Sequence, residues 1–337
     1  MKKIRIALLS FLLIVVCVSN AQETDLQIRQ TAIEYARKND FSNALMVLSS
    51  GLTKTPNSLI LLKELAFTYY LAGAFEQAAV VMLPLVQRDD ADIQTFQIAG
   101  NIFNGLEDWK QSEKIYRKGL KKFPQSGQLY SEYGQLLWSL KKTSEAITEW
   151  EHGITEDPSH SGNYYHAAKF YFAAADKARC IVYGETFVNL ESFSARTDEM
   201  KYLLIESYKR IFNLNDSKVY YIKKTTDFEV RFLQTISRYS YLAAKGIGVE
   251  SLYEMRLGFI NEWFKSNQES FPFSMFDRFK YMVDNGMFEA YNRWLFGMAV
   301  DIEAHQTWVR QHQQAYDEFL KFQRNNLFHP KMGQHYF

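Results

Sequence analysis

The stretch from Gly127 to His160 reads GQLYSEYGQLLWSLKKTSEAITEWEHGITEDPSH and holds one complete copy of the pattern that decides the fold. Small residues stand at Gly134 and Ala146, with a short break in the apolar pattern between them, and Pro158 lies near the end. Residues of the same types recur at a constant interval on both sides of this stretch. Such a recurrence indicates a repeat architecture.

The interval is 34 residues, and four columns follow it. Two columns of small residues are Ala32, Ala66, Gly100, Gly134, Ala168 and Ala44, Ala78, Ser112, Ala146, Cys180. An aromatic column and a helix-ending column are Tyr35, Tyr69, Phe103, Leu137, Tyr171 and Pro56, Asp90, Pro124, Pro158. Small residues make up about a quarter of average composition, so filling all ten small positions by chance has a probability of about one in a million.

Each unit is predicted to be a pair of antiparallel helices, because apolar residues recur at spacings of three and four on either side of the break. The small columns would then meet where the two helices cross, since only small side chains allow so close an approach. This pattern resembles the tetratricopeptide repeat (TPR). The matching motifs are Phe96-x-x-Ala99-Gly100-x-x-Phe103 with Tyr116, Gly119 and Pro124, and Tyr130-x-x-Tyr133-Gly134-x-x-Leu137 with Ala146, Trp150, Gly153 and Pro158.

The resemblance covers about half the chain and places five TPR-like repeats in 22–197, with frames that begin at Asp25, Leu59, Ile93, Gly127 and Ser161. It implies an all-α fold, a right-handed superhelical solenoid of antiparallel helix pairs. The fifth repeat departs from the pattern at two positions. Gly184 stands where a bulky residue is usual, and Phe187 stands where a small residue is usual. We interpret 198–337 as divergent helical repeats or a helical cap. Its predicted helices are Asp198–Leu214, Phe228–Lys245, Ser251–Lys265, Phe273–Asn285 and Val300–Arg324.

The first 21 residues have the features of a secretory signal peptide. A positively charged start is followed by the apolar run 7–18, and Ser19 and Ala21 are small residues at the positions that precede a cleavage site. The run is shorter than the roughly 20 residues that span a membrane. Val16 stands before Cys17 where a lipobox needs a small residue, which disfavours lipidation. We therefore expect residues 1–21 to be removed and the protein to be exported, to the periplasm or the extracellular space, with no transmembrane segment.

Composition excludes several classes of protein. Of 337 residues 47% are hydrophobic and 23% are charged, which permits a large core and argues against a disordered chain. The 39 basic and 38 acidic residues nearly balance, so no nucleic-acid partner is expected. After removal of the signal, Cys180 is the only cysteine, so no disulfide can form within one chain.

Enzyme signatures are absent from the sequence: there is no zinc-protease, nucleophile-elbow, Cys-x-x-Cys or P-loop motif, and we predict no catalysis, no cofactor and no metal. Asp301, His305 and His312 fall on one face of the predicted helix Val300–Arg324. Residues that far apart on one helix lie about 16 Å apart, so this helix alone cannot form a compact zinc site.

Two further patterns have ordinary structural interpretations. A basic stripe lies on the second helix of the third repeat, which the resemblance places on the convex, solvated side; its members are Lys110, Lys114, Arg117, Lys118, Lys121 and Lys122. An aromatic run in 198–337 could stack on carbohydrate, but core packing is the simpler interpretation. It comprises Trp263, Phe264, Phe271, Phe273, Phe276, Phe279, Tyr281, Phe288, Tyr291, Trp294 and Phe296.

The resemblance also implies which side chains face a concave, peptide-binding groove, namely those at fixed positions of each first helix. The principal candidates are Arg29, Lys63, Tyr70, Gln97, Asn101, Asn104, Gln128, Gln135, Trp138, Tyr165 and Lys169. Others in the same register are Ile33, Arg37, Phe67, Gln94, Ser131 and Phe172. The predicted groove thus runs from basic, through amide, to aromatic side chains, and it lacks the Lys-and-Asn carboxylate clamp of some family members.

These observations favour a non-enzymatic adaptor or scaffold that binds protein or peptide partners in the groove. The alternative from another class is an enzyme, or a small-ligand or carbohydrate-binding module, in 198–337, with the repeats acting as its targeting arm. A cluster of polar side chains around a pocket in 198–337 would favour that alternative, and a packed interior would favour the adaptor.

Overall fold

The computed structural model describes residues 24–212, 225–244 and 246–337. The expected signal peptide 1–21 lies outside the described residues. Within the described ranges the regular structure is helical and no strand occurs, which confirms the all-α prediction.

The chain divides into two compact units at Pro124. The described part of the first unit is three helix pairs: α1 (24–37), α2 (Phe41–Lys54), α3 (Leu59–Leu71), α4 (Phe75–Leu85), α5 (Ile93–Gly105) and α6 (Trp109–Lys122). The second unit continues with two more pairs: α7 (Gly127–Ser139), α8 (Thr143–Glu156), α9 (Ser161–Ala173) and α10 (Lys177–Leu190). The helices α3, α5, α7 and α9 begin at the residues where the 34-residue frames begin.

The second unit then adds α11 (Ala195–Phe212), α12 (Asp227–Ser237), a short 3-10 helix (Ser240–Ala243), α13 (Val249–Ser266), α14 (Ser274–Asp284), α15 (Phe288–Val300), α16 (Ile302–Gln311) and α17 (Gln313–Asn325). The predicted helix Val300–Arg324 is wrong in one respect, because the chain breaks between α16 and α17 at His312. The ring of His312 stacks on Trp308 at 4.5 Å, and its Nδ1 lies 3.0 Å from the Trp308 carbonyl oxygen. Asp301, His305 and His312 therefore do not share one helix.

The turn inside each pair has the same backbone in all five repeats. A residue with φ between 57° and 74° follows every first helix, and these residues are Asn39, Gly73, Glu107, Lys141 and Ala175. In each turn an amide donates to the carbonyl five residues earlier, as from Ala74 N to Tyr69 O at 2.9 Å. The turn between α14 and α15 is the same, with Gly286 at φ 69° and a 2.8 Å bond from Met287 N to Met282 O. A repeat-like helix pair thus occurs where the strict sequence period is lost.

The small residues meet at the helix crossings. In the third pair, Ser112 Oγ donates to the carbonyl of Gly100 at 2.9 Å. In the fourth pair the contact differs from the predicted one between Gly134 and Ala146. A Cβ on Gly134 would lie 2.2 Å from Trp150 Nε1, so the indole ring occupies the space that this glycine leaves.

Helix α10 is the core of the second unit, and twelve of its fourteen residues are buried. This burial explains the two residues at which α10 departs from the repeat pattern, Gly184 and Phe187. A Cβ on Gly184 would lie 2.9 Å from Leu204 Cδ2, so the glycine allows α11 to approach closely. Phe187 is fully buried and packs against Tyr165 at 5.1 Å.

Buried polar contacts join the C-terminal helices to α10. The Arg256 guanidinium on α13 donates to the Glu185 carboxylate on α10 and to the Asn292 amide on α15. Arg179 on α10 bonds Asp176 at 2.5 Å and lies 3.1 Å from Glu229 on α12. Helices α12 and α13 are therefore packed onto the last repeat through buried contacts.

Candidate functional site

In the first unit, the charged groove candidates are paired within the molecule. Lys63 Nζ lies 2.5 Å from Asp92 Oδ2 and donates to Gln94 Oε1 at 3.1 Å, and its side chain is only 9% exposed. Arg29 Nε donates to Glu64 Oε2 at 2.9 Å. Each cation is neutralised by a neighbouring carboxylate, so this part of the groove is less basic than the sequence suggests.

The amide block of the first unit is also engaged. Tyr116 Oη on α6 donates to Asn101 Oδ1 on α5 at 3.0 Å, so this amide oxygen is bonded within its own helix pair. Gln97 and Asn104 are half-buried. Tyr70 stacks on Phe67, with ring centroids 6.0 Å apart.

In the second unit, helices α7, α8, α9 and α11 line an open cleft of about 580 Å³. It brings together five residues that the sequence placed in the groove, namely Gln135, Trp138, Tyr165, Lys169 and Phe172. The other lining residues are Trp150, His166, Phe170, Ala173, Glu199 and Leu203. Gln128, at the start of α7, is exposed outside this cleft.

Aromatic side chains form much of the cleft wall. Trp138 is 42% exposed, and its ring centroid lies 6.0 Å from both Trp150 and Phe170. The Arg210 guanidinium lies 4.3 Å from the ring centroid of Phe172. Because neighbouring rings hold Trp138 in place, its exposed surface can bind an apolar group with little loss of side-chain entropy.

One polar cluster interrupts the aromatic wall. Lys169 Nζ bonds Glu199 Oε1 at 2.7 Å, and the Tyr165 hydroxyl donates to the other oxygen of this carboxylate. The hydrogen bonds from Lys169 and then Tyr165 hold the pKa of Glu199 below its ordinary value, so Glu199 is ionised near neutral pH. Its negative charge offsets that of Lys169.

His166 contributes no charge at neutral pH. Its ring stacks on Trp150 with centroids 5.1 Å apart, and burial lowers its pKa to about 4, with the positive charges of Arg196 and Lys169 acting in the same direction. The ionised residues in the cleft lining are therefore Lys169 and Glu199, whose charges cancel.

The described residues form no candidate metal centre. Among them, no group of three or more His, Cys, Asp or Glu side chains is arranged to hold a metal ion. No helix in the described ranges combines the length and apolar character needed to cross a membrane.

The aromatic run in 198–337 is largely core rather than a stacking surface. Trp263 and Tyr291 are fully buried, and Phe276 and Phe288 are 3% and 2% exposed. Tyr281 is an exception at 51% exposed.

The helix pairs themselves identify the repeat. Five successive pairs combine a 34-residue period, a left-handed residue in each internal turn and small residues at the crossings. The five helix pairs have the tetratricopeptide repeat fold. No family model matches the sequence, and no curated protein matches it either.

Solved structures to which this chain is similar include three proteins, one of which, TTC0263, is a TPR protein. TTC0263 of Thermus thermophilus is 11% identical with a TM-score of 0.44, over 55% of this chain and 98% of that one. MamA is 18% identical with a TM-score of 0.40, over 48% and 94% of the two chains. Pseudomonas aeruginosa pilF is 13% identical with a TM-score of 0.47, over 56% and 86%.

Six residues of the cleft lining were not among the sequence candidates for the groove: Trp150, His166, Phe170, Ala173, Glu199 and Leu203. The TPR register contains a signal for two of them. Glu199 and Leu203 lie one 34-residue period after Tyr165 and Lys169, and α11 begins at Ala195, one period after Ser161. Extending the register by one repeat beyond 197 would have identified both.

Proposed function

We propose that this TPR protein is a non-enzymatic adaptor that binds an extended segment of a partner protein in the cleft between α7, α9 and α11. The observation that carries the proposal is the convergence of exposed Trp138, exposed Gln135 and half-buried Phe172 on one open cleft. Aromatic surfaces bind apolar side chains, and a glutamine amide can pair with both the N–H and the C=O of an extended backbone.

The charge balance of the cleft restricts the kind of segment that fits. Lys169 is already paired with Glu199, and His166 is neutral, so neither side chain offers an unopposed positive charge to a terminal carboxylate. A segment with an apolar or aromatic side chain is favoured over a strongly acidic one.

The binding test compares a variant that lacks Trp138 and Phe172 of the cleft with a control that lacks an exposed tryptophan elsewhere. Trp138→Ala with Phe172→Ala is expected to weaken binding about tenfold or more, because central aromatic contacts supply most of the energy of an interface. Partners would be cross-linked in intact cells, and the affinity of the main partner for the purified variants would then be measured by fluorescence anisotropy.

The matched control is Trp109→Ala, which removes a 36% exposed tryptophan from α6, outside the cleft. Circular dichroism should show both variants folded. The proposal fails if the cleft variant binds its partner as tightly as the control does.

We also propose that the protein is exported, on the strength of the signal-peptide features in residues 1–21. Intact-mass measurement of the protein recovered from cells is expected to give a chain that begins at Gln22, because Ser19 and Ala21 suit the cleavage site. Recovery of an uncleaved chain from the cytoplasm would contradict export without affecting the cleft.

A second candidate function, ligand binding by 198–337 with the repeats as a targeting arm, has one observation in its favour. Helices α12 and α13 line an open polar depression that includes Arg231, Gln234 and Asn267. Two of its charged residues, Arg238 and Glu262, pair at 2.5 Å. If the cleft variant binds its partner with full affinity, this depression becomes the favoured binding site.

A further inference from the structure

The second helices of the first three repeats expose a surface that the cleft does not use. We call the outward side of α2, α4 and α6 the outer face. Its apolar members are Met46, Val80, Leu83 and Pro84, and its basic members are Lys110, Lys114, Arg117, Lys118 and Lys121. Met46 is 63% exposed, Val80 76% and Leu83 42%. Val80 and Leu83 lie three residues apart on α4 and therefore share one side of this helix, where they form an apolar patch.

The repeat register places these residues side by side. Met46, Val80 and Lys114 occupy one position in successive second helices, and Leu83 and Arg117 occupy another, each 34 residues apart. The helices of adjacent repeats share one core, because Val81 on α4 packs against a buried cluster that α1, α2 and α3 form together. Lys118 Nζ on α6 donates to Gln87 Oε1, just beyond α4, at 2.5 Å.

Helix α6 is strongly basic. The helix sequence WKQSEKIYRKGLKK contains six basic residues and one acidic residue, Glu113. The Glu113 carboxylate is bonded by Arg117 within the same helix, at 2.9 Å. All six basic side chains are exposed, so their field extends into solvent beside the apolar side chains of α4.

We propose that the outer face docks on the surface of an anionic lipid bilayer. Apolar side chains enter the boundary between headgroups and acyl chains, while neighbouring lysines interact with lipid phosphates. A nucleic acid would use the lysines but would leave Val80 and Leu83 in water. The exposed side chains protrude from helix surfaces, and a deformable lipid surface can accommodate them without a preformed cavity in either partner.

Vesicle flotation tests the proposal. The chain that begins at Gln22 is used, because it lacks the apolar run 7–18, which could bind membranes by itself. It is expected to float with phosphatidylcholine vesicles that contain phosphatidylglycerol and to remain unbound with phosphatidylcholine alone. Lys110→Gln with Lys114→Gln and Lys121→Gln should reduce binding about tenfold or more, because each lysine near an anionic surface adds to the attraction.

Two further variants separate this interpretation from simple charge attraction. Val80→Ser with Leu83→Ser leaves the charge unchanged and is expected to weaken vesicle binding severalfold, by removing apolar insertion. The matched control, Lys265→Gln with Lys321→Gln and Lys331→Gln, removes the same charge from exposed positions elsewhere and should bind like the unchanged protein.

Three results would overturn the proposal. One is the absence of binding to anionic vesicles, which would leave an acidic protein as the candidate occupant. Another is an equal loss for the control and the test lysines. The third is unchanged vesicle binding by Val80→Ser with Leu83→Ser, which would indicate attraction to any polyanion. Trp138→Ala with Phe172→Ala should retain vesicle binding, so failure of the cleft proposal and failure of this one are distinguishable.

Discussion

Replacing Arg256 by methionine is expected to lower the free energy of unfolding by about 3 to 5 kcal/mol, because the change leaves a buried carboxylate without its cation. Arg256 is 2% exposed and bonds Glu185 and Asn292. Its guanidinium also lies 5.0 Å from the Phe279 ring centroid and 5.2 Å from that of Tyr291. Urea unfolding at neutral pH, followed by circular dichroism, measures the loss.

An exposed ion pair provides the matched control. Arg238 pairs with Glu262 at 2.5 Å, but the Arg238 side chain is 64% exposed, so Arg238→Met should cost no more than about 1 kcal/mol. A double variant, Glu185→Leu with Arg256→Met, should recover much of the loss, because it removes both buried charges. Equal effects of Arg256→Met and Arg238→Met would show that the Glu185 pair is not a buried link between α10 and α13.

The second large effect is expected from Gly134→Leu. A Cβ at this position would lie 2.2 Å from Trp150 Nε1 and 2.5 Å from Trp150 Cδ1. The indole cannot move freely, because its N–H donates to the carbonyl of Ser131 at 3.1 Å and the side chain is buried. Overpacking of this kind costs about 1 to 3 kcal/mol, and loss of the indole hydrogen bond adds to it.

Hydrogen exchange should locate this damage. The stability of a repeat array is approximately the sum of contributions from single repeats and from contacts between neighbouring repeats. Amide protection is therefore expected to fall first in α7, α8 and α9. Gly248→Leu is a suitable control, since φ there is −123° and the nearest atom to a new Cβ is Glu250 Oε2 at 3.8 Å. A uniform loss of protection along the chain, or none, would count against the repeat interpretation.

The sequence by itself determined the helix pairs. Small residues, turn residues and helix ends recur every 34 positions, and the contacts that they make lie within one pair or between adjacent pairs. Ser112 and Gly100, twelve residues apart, are an example. Such contacts are short in sequence, so the residue pattern that encodes them is visible in the sequence. For this reason the starts of α3, α5, α7 and α9 were predictable.

Only the tertiary structure decided which predicted groove residues are available. In the sequence, Lys63, Arg29 and Asn101 have no assigned partners. In the structure, Lys63 pairs with Asp92 and Arg29 pairs with Glu64. The Asn101 amide oxygen accepts a hydrogen bond from Tyr116. The repeat register predicts which side chains face the groove. It does not predict which of them form ion pairs or hydrogen bonds with residues of a neighbouring helix.

Long-range packing in the C-terminal region also required the structure. Glu185 and Arg256 are 71 positions apart and carry no repeat signature, so nothing in the local pattern pairs them. The break at His312 likewise depends on the position of the Trp308 ring, because the sequence from Val300 to Arg324 is compatible with one continuous helix. Helical periodicity records which face of a segment is apolar, whereas the identity of the element that covers this face is set by packing between segments distant in the chain.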